Sequence, residues 1–330
     1  MKMKLSGILL LSLALFSCNN PNRPPASEQD KRPSVKIPDF NADSAYQYVK
    51  EQLDFGPRVP NSPAHEKCAD YLTQKLKSYL KDVTVQMGQV KAFNGTVLNF
   101  KNIIASYKPG VNNRIFLCSH WDSRPFADHD PDPKNRNKPV PAANDGASGV
   151  GILIELARQL SLSRPEIGVD LILFDVEDYG PPEDQKVNND TEEWWGLGSQ
   201  YWARQPHVEN YFAKYGILLD MVGATGATFL MEGISMQYAS DIVTRVWKTG
   251  SRIGYSAWFL FDKGTYITDD HYYINKIRNI PTIDIIHLVP DSKAGFYHTW
   301  HTTGDDLSTI DKNTLKAVGQ TLLTVLFEER

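Results

Sequence analysis

Short apolar runs, each followed by a carboxylate or a histidine, constrain this chain more than any other feature of its sequence. They lie at residues 115–119, 169–175, 217–222 and 282–288. Strands that are apolar on both sides are typical of a parallel sheet with both faces covered, and segments of helical periodicity lie between them. The sequence therefore predicts a three-layer α/β fold, in which a twisted, mostly parallel mixed sheet has helices on both faces.

Other periodic segments complete this prediction. Apolar residues at helical spacing predict helices, and shorter alternating or apolar runs predict further strands. The predicted helices cover residues 44–53, 63–80, 147–162, 236–253 and a last segment to 327 that Asp311 caps. The further predicted strands cover residues 83–90 and 102–107. Polar stretches at 123–141 and 179–195 interrupt the pattern, and long insertions of this kind are often functional.

The first residues have the composition of an export signal. Two lysines precede an apolar stretch at 5–16, which ends in Ser17-Cys18. This order is typical of a signal peptide, and the small residue before the cysteine resembles a bacterial lipobox. We predict a lipoprotein signal peptide at residues 1–17 and lipidation of Cys18. A plain secretory signal with a chance cysteine is the alternative.

The segment 18–38 is rich in proline, asparagine, serine and charged residues, which favours a flexible lipidated tether. A single catalytic domain is predicted over residues 39–330. The expected location is the envelope of a bacterial cell, facing the periplasm, with membrane contact only through the lipid on Cys18. The two further cysteines, Cys68 and Cys118, are predicted to be buried free thiols. A net charge of -4 gives no electrostatic signature of nucleic-acid binding.

Chemistry-bearing side chains follow the predicted strands, open the helix at 147–162 or lie on the loop before the last helix. In open α/β sheets, ligands bind beyond the carboxyl ends of the strands. Each of these side chains alone has an ordinary explanation, such as a helix N-cap for Asp145 or a loop histidine for His301. Together, their histidine nitrogens and carboxylate oxygens are the ligands of a catalytic zinc, which normally takes three protein ligands. The segments concerned contain His120, Asp122, Asp145, Glu177, Asp178, Asp220, His287 and His301.

The order of these motifs resembles that of the M28 zinc aminopeptidases. The sequence has His-x-Asp at 120–122, Asn-Asp-Gly-Ala-Ser-Gly at 144–149, an acidic pair at 177–178, the strand-end Asp220 and a late His-Thr at 301–302. The resemblance covers roughly residues 45–328.

Within that fold, three segments resemble the zinc-dependent glutaminyl cyclases. They are His-Trp-Asp-Ser-Arg-Pro at 120–125, Thr-Asp-Asp-His at 268–271 and Trp-His-Thr at 300–302. Two departures are visible. Asp178 stands where animal cyclases have a glutamate, and an insertion separates residues 179 and 194. The resemblance implies an enzyme that converts the N-terminal Gln of peptides or proteins into pyroglutamate and releases ammonia.

The resemblance also implies a role for particular residues. One zinc ion would be bound by Asp145, Asp178 and His301. Glu177 would transfer protons, supported by Asp220 and Asp269. Trp300 would line the substrate pocket, and Trp194 or Trp195 would contribute to it.

Two other functions stay open. A two-zinc aminopeptidase would add His120 and Asp220 as ligands of a second metal and use Glu177 to activate a water molecule. A lipoprotein binding module could instead have kept the fold and lost catalysis.

Asp128, Asp130 and Asp132 alternate like the start of a calcium-binding loop. An EF-hand would need glycine at the sixth position and glutamate at the twelfth, where this sequence has Pro133 and Pro139. We therefore predict a solvated acidic loop.

Overall fold

The elements alternate along the chain as the sequence predicts. The computed structural model describes residues 36–182, 185 and 193–329. The strands are β1 (Asp82–Lys91), β2 (Val97–Tyr107), β3 (Arg114–His120), β4 (Gly168–Phe174), β5 (Gly216–Asp220), β6 (Phe229–Met231), β7 (Phe259–Lys263) and β8 (Thr282–Ile286). The helices are α1 (Ala42–Leu53), α2 (Pro63–Lys77), α3 (Ala147–Ser163), α4 (Leu197–Arg204), α5 (Gly233–Arg252), α6 (Asp270–Tyr273), which continues as a π-helix at Ile274–Arg278, and α7 (Lys312–Glu328).

Six strands form one mixed sheet in the order β1-β2-β4-β3-β5-β8. The neighbours among β4, β3, β5 and β8 pair in parallel, whereas β1 and β2 run antiparallel at one edge. β6 and β7 form a separate two-stranded sheet. The prediction of a mostly parallel mixed sheet is confirmed.

Alternate residues of the central strands enter two different layers of the core. In β3, Ile115 and Leu117 pack in the main cluster with α1, α2, α3, α5 and α7. Phe116 and Cys118 point to the opposite face, where they meet the side chains of α4 and the π-helix. Because both faces are covered, every residue of β3, β4, β5 and β8 is buried, which explains their continuous apolar sequences.

Local sequence signals set the ends of several helices. The side chains of Asn41, Ser62 and Asp311 accept hydrogen bonds from backbone N–H groups at the starts of α1, α2 and α7, as N-cap residues do. Cys68 and Cys118 are buried free thiols, as predicted, and they lie in separate core clusters.

Several elements differ from the prediction. Helix α2 ends at Lys77 rather than at residue 80, and β2 begins at Val97, five residues before the predicted strand. Three parts of the chain for which the sequence predicted no element contain regular structure, namely α4, the β6–β7 pair and α6.

The predicted signal peptide, Cys18 and nearly all of the predicted tether lie outside the described residues. Among the residues that are described, no helix is both long and apolar enough to cross a bilayer.

Candidate metal and catalytic site

The carboxyl ends of β3, β4 and β5 bring the predicted site residues to one edge of the sheet. His120 is the last residue of β3 and Asp220 the last of β5. Glu177 and Asp178 lie in the turn after β4. This is the position at which open α/β sheets bind ligands.

Asp145 does not cap the helix that it precedes. The N-cap of α3 is Gly146, and no side chain bonds to the free N–H groups there. The Asp145 side chain turns instead toward two imidazoles. Gly146 permits this approach, since a Cβ at that position would lie 2.5 Å from Nε2 of His120.

Asp145, Asp178 and His301 form the first cluster of possible metal ligands. All three are buried, and one ligand atom from each lies within 4.8 Å of the others. His301 Nε2 lies 3.3 Å from Asp178 Oδ1 and 3.7 Å from Asp145 Oδ2. Ligand distances of 2.0–2.2 Å in a tetrahedral zinc site place neighbouring ligand atoms about 3.4 Å apart. The first cluster therefore has the spacing of a zinc site.

His120, Asp145 and Asp220 form a second cluster that shares Asp145 with the first. His120 Nε2 lies 2.9 Å from Asp145 Oδ1 and 3.4 Å from Asp220 Oδ1. The shorter distance is that of a hydrogen bond. Burial lowers the pKa of His120, but hydrogen bonds with Asp122, Asp145 and Asp220 raise it well above the ordinary value of histidine.

The acidic pair after β4 is held by contacts that the sequence did not predict. Asp122 accepts hydrogen bonds from the backbone N–H groups of Glu177, at 3.1 Å, and Asp178, at 3.2 Å. Arg124, fully buried, donates to the Asp178 carboxylate at 3.3 Å. Asp122 and Arg124 both belong to the motif at 120–125. This motif is the sequence signal from which their role could have been predicted. Val176, before the pair, has a φ of 54°, a sparsely populated conformation for a β-branched residue.

Glu177 has the environment of a proton-transfer group. Its side chain lines the same cavity as the first metal cluster. Burial and the charges of Asp269 and Asp178 raise its pKa well above the ordinary value of glutamate, against the opposing charge of His120. Burial and the charge of Asp145 raise the pKa of Asp220 to about 6. Burial and the charge of Asp220 likewise raise the pKa of Asp269 to about 7.

The cavity over these residues, here called the catalytic cavity, has a volume of about 230 Å³. Trp195 and Trp300 contribute to its wall, whereas Trp194 is not among the residues that line it. Trp300 stacks on His301 with a centroid distance of 3.7 Å, and Trp195 lies parallel to His301 at 6.2 Å. Asp145, Asp178, Asp220 and Asp269 also line this cavity.

The acidic loop is structured and partly buried, so the prediction that it is solvated was wrong for two of its three aspartates. Asp128 accepts hydrogen bonds from Arg124 at 2.7 and 2.8 Å. Asp130 is only 3% exposed, and Thr303, two residues beyond His301, donates to it at 2.6 and 2.9 Å. These hydrogen bonds therefore hold the segment that contains His301 against the acidic loop.

A second cluster of buried polar side chains lies behind the catalytic cavity and consists of Glu232, His271 and Asp284. His271 Nε2 lies 3.1 Å from the carboxylate of Glu232, and Nδ1 lies 3.8 Å from that of Asp284. Glu232 also accepts hydrogen bonds from the backbone N–H groups of Ile234 and Ser235. It thus joins the start of α5 to the segment that contains Asp269.

The fold and the cluster of possible metal ligands define an α/β protein of the zinc exopeptidase type. The model of peptidase family M28 matches residues 102–326, which is more than half of the chain. The chain belongs to peptidase family M28, as the motifs predict.

Similar structures cover nearly all of the described chain. The structure of glutaminyl cyclase from Bacteroides thetaiotaomicron, bound to N-acetylhistamine, is 52% identical and has a TM-score of 0.87. The match covers 89% of this chain and 100% of that one. A Zn-dependent exopeptidase from Parabacteroides distasonis is 50% identical, with the same coverage and TM-score. The glutaminyl-peptide cyclotransferase of Drosophila melanogaster is 25% identical over 293 residues, 80% of this chain and 75% of that protein.

Proposed function

We propose that the protein is a zinc-dependent glutaminyl-peptide cyclotransferase, which converts the N-terminal Gln of peptides or proteins into pyroglutamate and releases ammonia. The observation that carries this proposal is a small cavity that combines the Asp145, Asp178 and His301 cluster, the buried Glu177 and two tryptophans. The 52% identity to a glutaminyl cyclase over 89% of the chain supports the same activity.

The first cluster fits a zinc ion in its chemistry as well as in its spacing. Two carboxylates and one imidazole match the ligand types of catalytic zinc, and a fourth position would face the cavity. Asp178 Oδ2 is buried and has no hydrogen-bond partner among the described residues. Buried carboxylate oxygens normally have a partner, and a bound cation would be the partner of this oxygen. Asp145, Asp178 and His301 would hold the zinc.

One zinc per chain is the stoichiometry that the distance between His120 and Asp145 supports. The 2.9 Å separation of His120 Nε2 from Asp145 Oδ1 is shorter than the roughly 3.4 Å expected between neighbouring tetrahedral ligands. His120 therefore serves as a hydrogen-bond partner that orients Asp145. Such partners around a metal site fix the orientation of its ligands.

The reaction requires little more from the chain than positioning and proton transfer. When bound, zinc supplies a Lewis acid that polarises a carbonyl group of the substrate. The α-amine of the substrate attacks the carbon of its own γ-amide, a bond to the amide nitrogen breaks, and ammonia leaves. Because both reacting groups belong to one residue, the cavity needs mainly to hold one rotamer of that residue.

Glu177 accepts the proton that the α-amine loses and gives it to the leaving ammonia. This is general acid–base catalysis by a carboxyl group in a buried cavity. Asp220 and Asp269 line the same cavity, and the charge of Asp269 helps to raise the pKa of Glu177. Trp300 and Trp195 enclose the side chain of the substrate and exclude water, which would otherwise compete as the nucleophile.

A two-zinc aminopeptidase is the second candidate. It is favoured by the complete second cluster of His120, Asp145 and Asp220 and by the 50% identity to a Zn-dependent exopeptidase. In that enzyme, Glu177 would activate a water molecule for attack on the first peptide bond.

We further propose that the protein is an exported lipoprotein that faces the periplasm, with Cys18 as its lipidated residue. The support is the order of two lysines, an apolar stretch and Ser17-Cys18 at the start of the sequence. The lipid would be its sole membrane contact.

The activity is tested by incubating the zinc-loaded protein with the peptide Gln-Phe-Ala. We expect a product lighter than the substrate by one ammonia, with ammonia released in equal amount, and loss of this conversion when the metal is chelated. Release of free Gln would contradict the proposal, because it would mean that the first peptide bond had been hydrolysed.

A further inference from the structure

The catalytic cavity is too small for a peptide. Its volume of about 230 Å³ lies below the range of roughly 300–1,000 Å³ that is usual for ligand pockets. A space of this size suits the N-terminal residue alone. The residues that follow it must leave the cavity across its rim.

A larger groove begins at that rim. It has a volume of about 610 Å³ and shares two residues, Phe296 and Trp300, with the catalytic cavity. The rings of these two residues lie 4.5 Å apart between their centroids. On the other side of Trp300, the ring of His129 lies at 4.4 Å. A peptide that leaves the catalytic cavity over Trp300 therefore enters this outer groove.

Among the described residues that line the outer groove, two carry a positive charge and one is a carboxylate. Arg136 and Lys293 line it, and neither forms an ion pair with any residue that the structure describes. The Nε group of Arg136 donates to the backbone carbonyl of Asp130 at 3.0 Å, which holds the guanidinium in place. Asp128 is the carboxylate among the lining residues that the structure describes, and it is paired with Arg124 at 2.7 Å.

We propose that the outer groove binds the second to fourth residues of the substrate, and that Arg136 and Lys293 make the enzyme prefer acidic side chains there. This inference rests on the proposed cyclase activity and adds a substrate class to it. The preferred substrates are peptides in which aromatic or apolar and then acidic residues follow the N-terminal Gln. The aromatic side chains next to the rim fit an aromatic or apolar residue after the N-terminal Gln. Arg136 and Lys293 fit the acidic residues that follow it.

The test compares two peptides that differ only in charge, Gln-Phe-Glu-Glu and Gln-Phe-Lys-Lys, with the zinc-loaded protein at low ionic strength. Exposed ion pairs contribute modestly, so we expect kcat/KM to be roughly 5- to 30-fold higher for the acidic peptide. The preference should shrink at high salt, because salt screens exposed charges.

The double variant Arg136→Gln/Lys293→Gln should lose most of this preference. Glutamine keeps an N–H donor for the carbonyl of Asp130 while removing the charge. The matched control is Lys77→Gln/Lys248→Gln, which removes two exposed lysines on α2 and α5 that line neither cavity. This control should keep the ratio of the wild type.

Equal kcat/KM for the two peptides in the wild type would overturn the proposal, as would a preference that survives unchanged in the double variant. Conversion of the dipeptide Gln-Ala together with equal rates on the two tetrapeptides would reject the groove and leave the cyclase activity intact. Failure to convert any of the three peptides would overturn the cyclase activity and the groove together.

Discussion

Glu232 is buried behind the catalytic cavity, and its replacement by glutamine should cost a defined amount of stability. Burial raises the pKa of this carboxyl group, but the hydrogen bond and charge of His271 and the bonds from Ser235 outweigh it and lower the pKa from 4.5 to about 2. Each unit of difference corresponds to about 1.4 kcal/mol. The ionised form of Glu232 therefore contributes about 3 kcal/mol to the free energy of unfolding at neutral pH.

The pH dependence of this contribution follows from the lowered pKa of Glu232. The contribution is complete above pH 4.5 and is lost as the pH falls toward 2, because protons then bind the unfolded chain more tightly than the folded one. Glu232→Gln removes the ionised group at every pH. We expect the variant to be less stable than the wild type by about 3 kcal/mol at pH 7 and by only about 1 kcal/mol at pH 3.

Urea unfolding of both proteins at the two pH values measures this difference. Glu209→Gln, at an exposed position, is the control and should change stability by less than about 0.5 kcal/mol. A loss below 1 kcal/mol at pH 7 for Glu232→Gln, or an equal loss at both pH values, would refute the role given to the contacts of Glu232.

Three further predictions concern catalysis, metal and location. Glu177→Gln should retain zinc and fold but lower kcat by roughly 10²–10⁴-fold, since an amide cannot transfer the proton; full turnover in an ammonia-release assay would show that another group does so. His301→Ala should abolish bound zinc, whereas His120→Ala should keep most of it; elemental analysis that finds two zinc ions in the wild type, one of them lost with His120, would favour the aminopeptidase. Cys18→Ala should release the protein from the membrane fraction or block its processing; a wild type found wholly in the soluble fraction with an unmodified N-terminus would reject the lipid anchor.

The sequence predicted the central sheet well because its strands are buried on both faces and are therefore apolar throughout. The elements that it missed lack this signal. Helix α4 has eight residues, which is too short for helical periodicity to stand out. Strand β7 begins with the apolar residues Phe259, Leu260 and Phe261 but is largely exposed after Phe259 and ends in charged residues, so it does not have the pattern of a strand buried on both faces.

The site residues could be proposed from their positions at strand ends, at a helix start and in a late loop, and their roles from the family resemblance, but the residues that support them could not. Asp122 acts through the backbone N–H groups of the acidic pair, a contact that depends on the turn at Val176. Asp130 belongs to a segment rich in aspartate and proline, which is typical of an exposed loop. Its burial comes from Thr303, more than 170 residues away in the sequence, and no local pattern reports such a partner.

The measurement that tests the cyclase activity most directly offers the zinc-loaded protein equal amounts of Gln-Phe-Ala and Leu-Phe-Ala in one reaction, followed by mass spectrometry. Ring closure needs a γ-amide in the first residue, whereas hydrolysis of the first peptide bond does not. We predict conversion of the Gln peptide to its pyroglutamyl form, no free Gln and an unchanged Leu peptide. Release of free Leu at a rate equal to or above that of Gln conversion would contradict the account and identify the enzyme as an aminopeptidase.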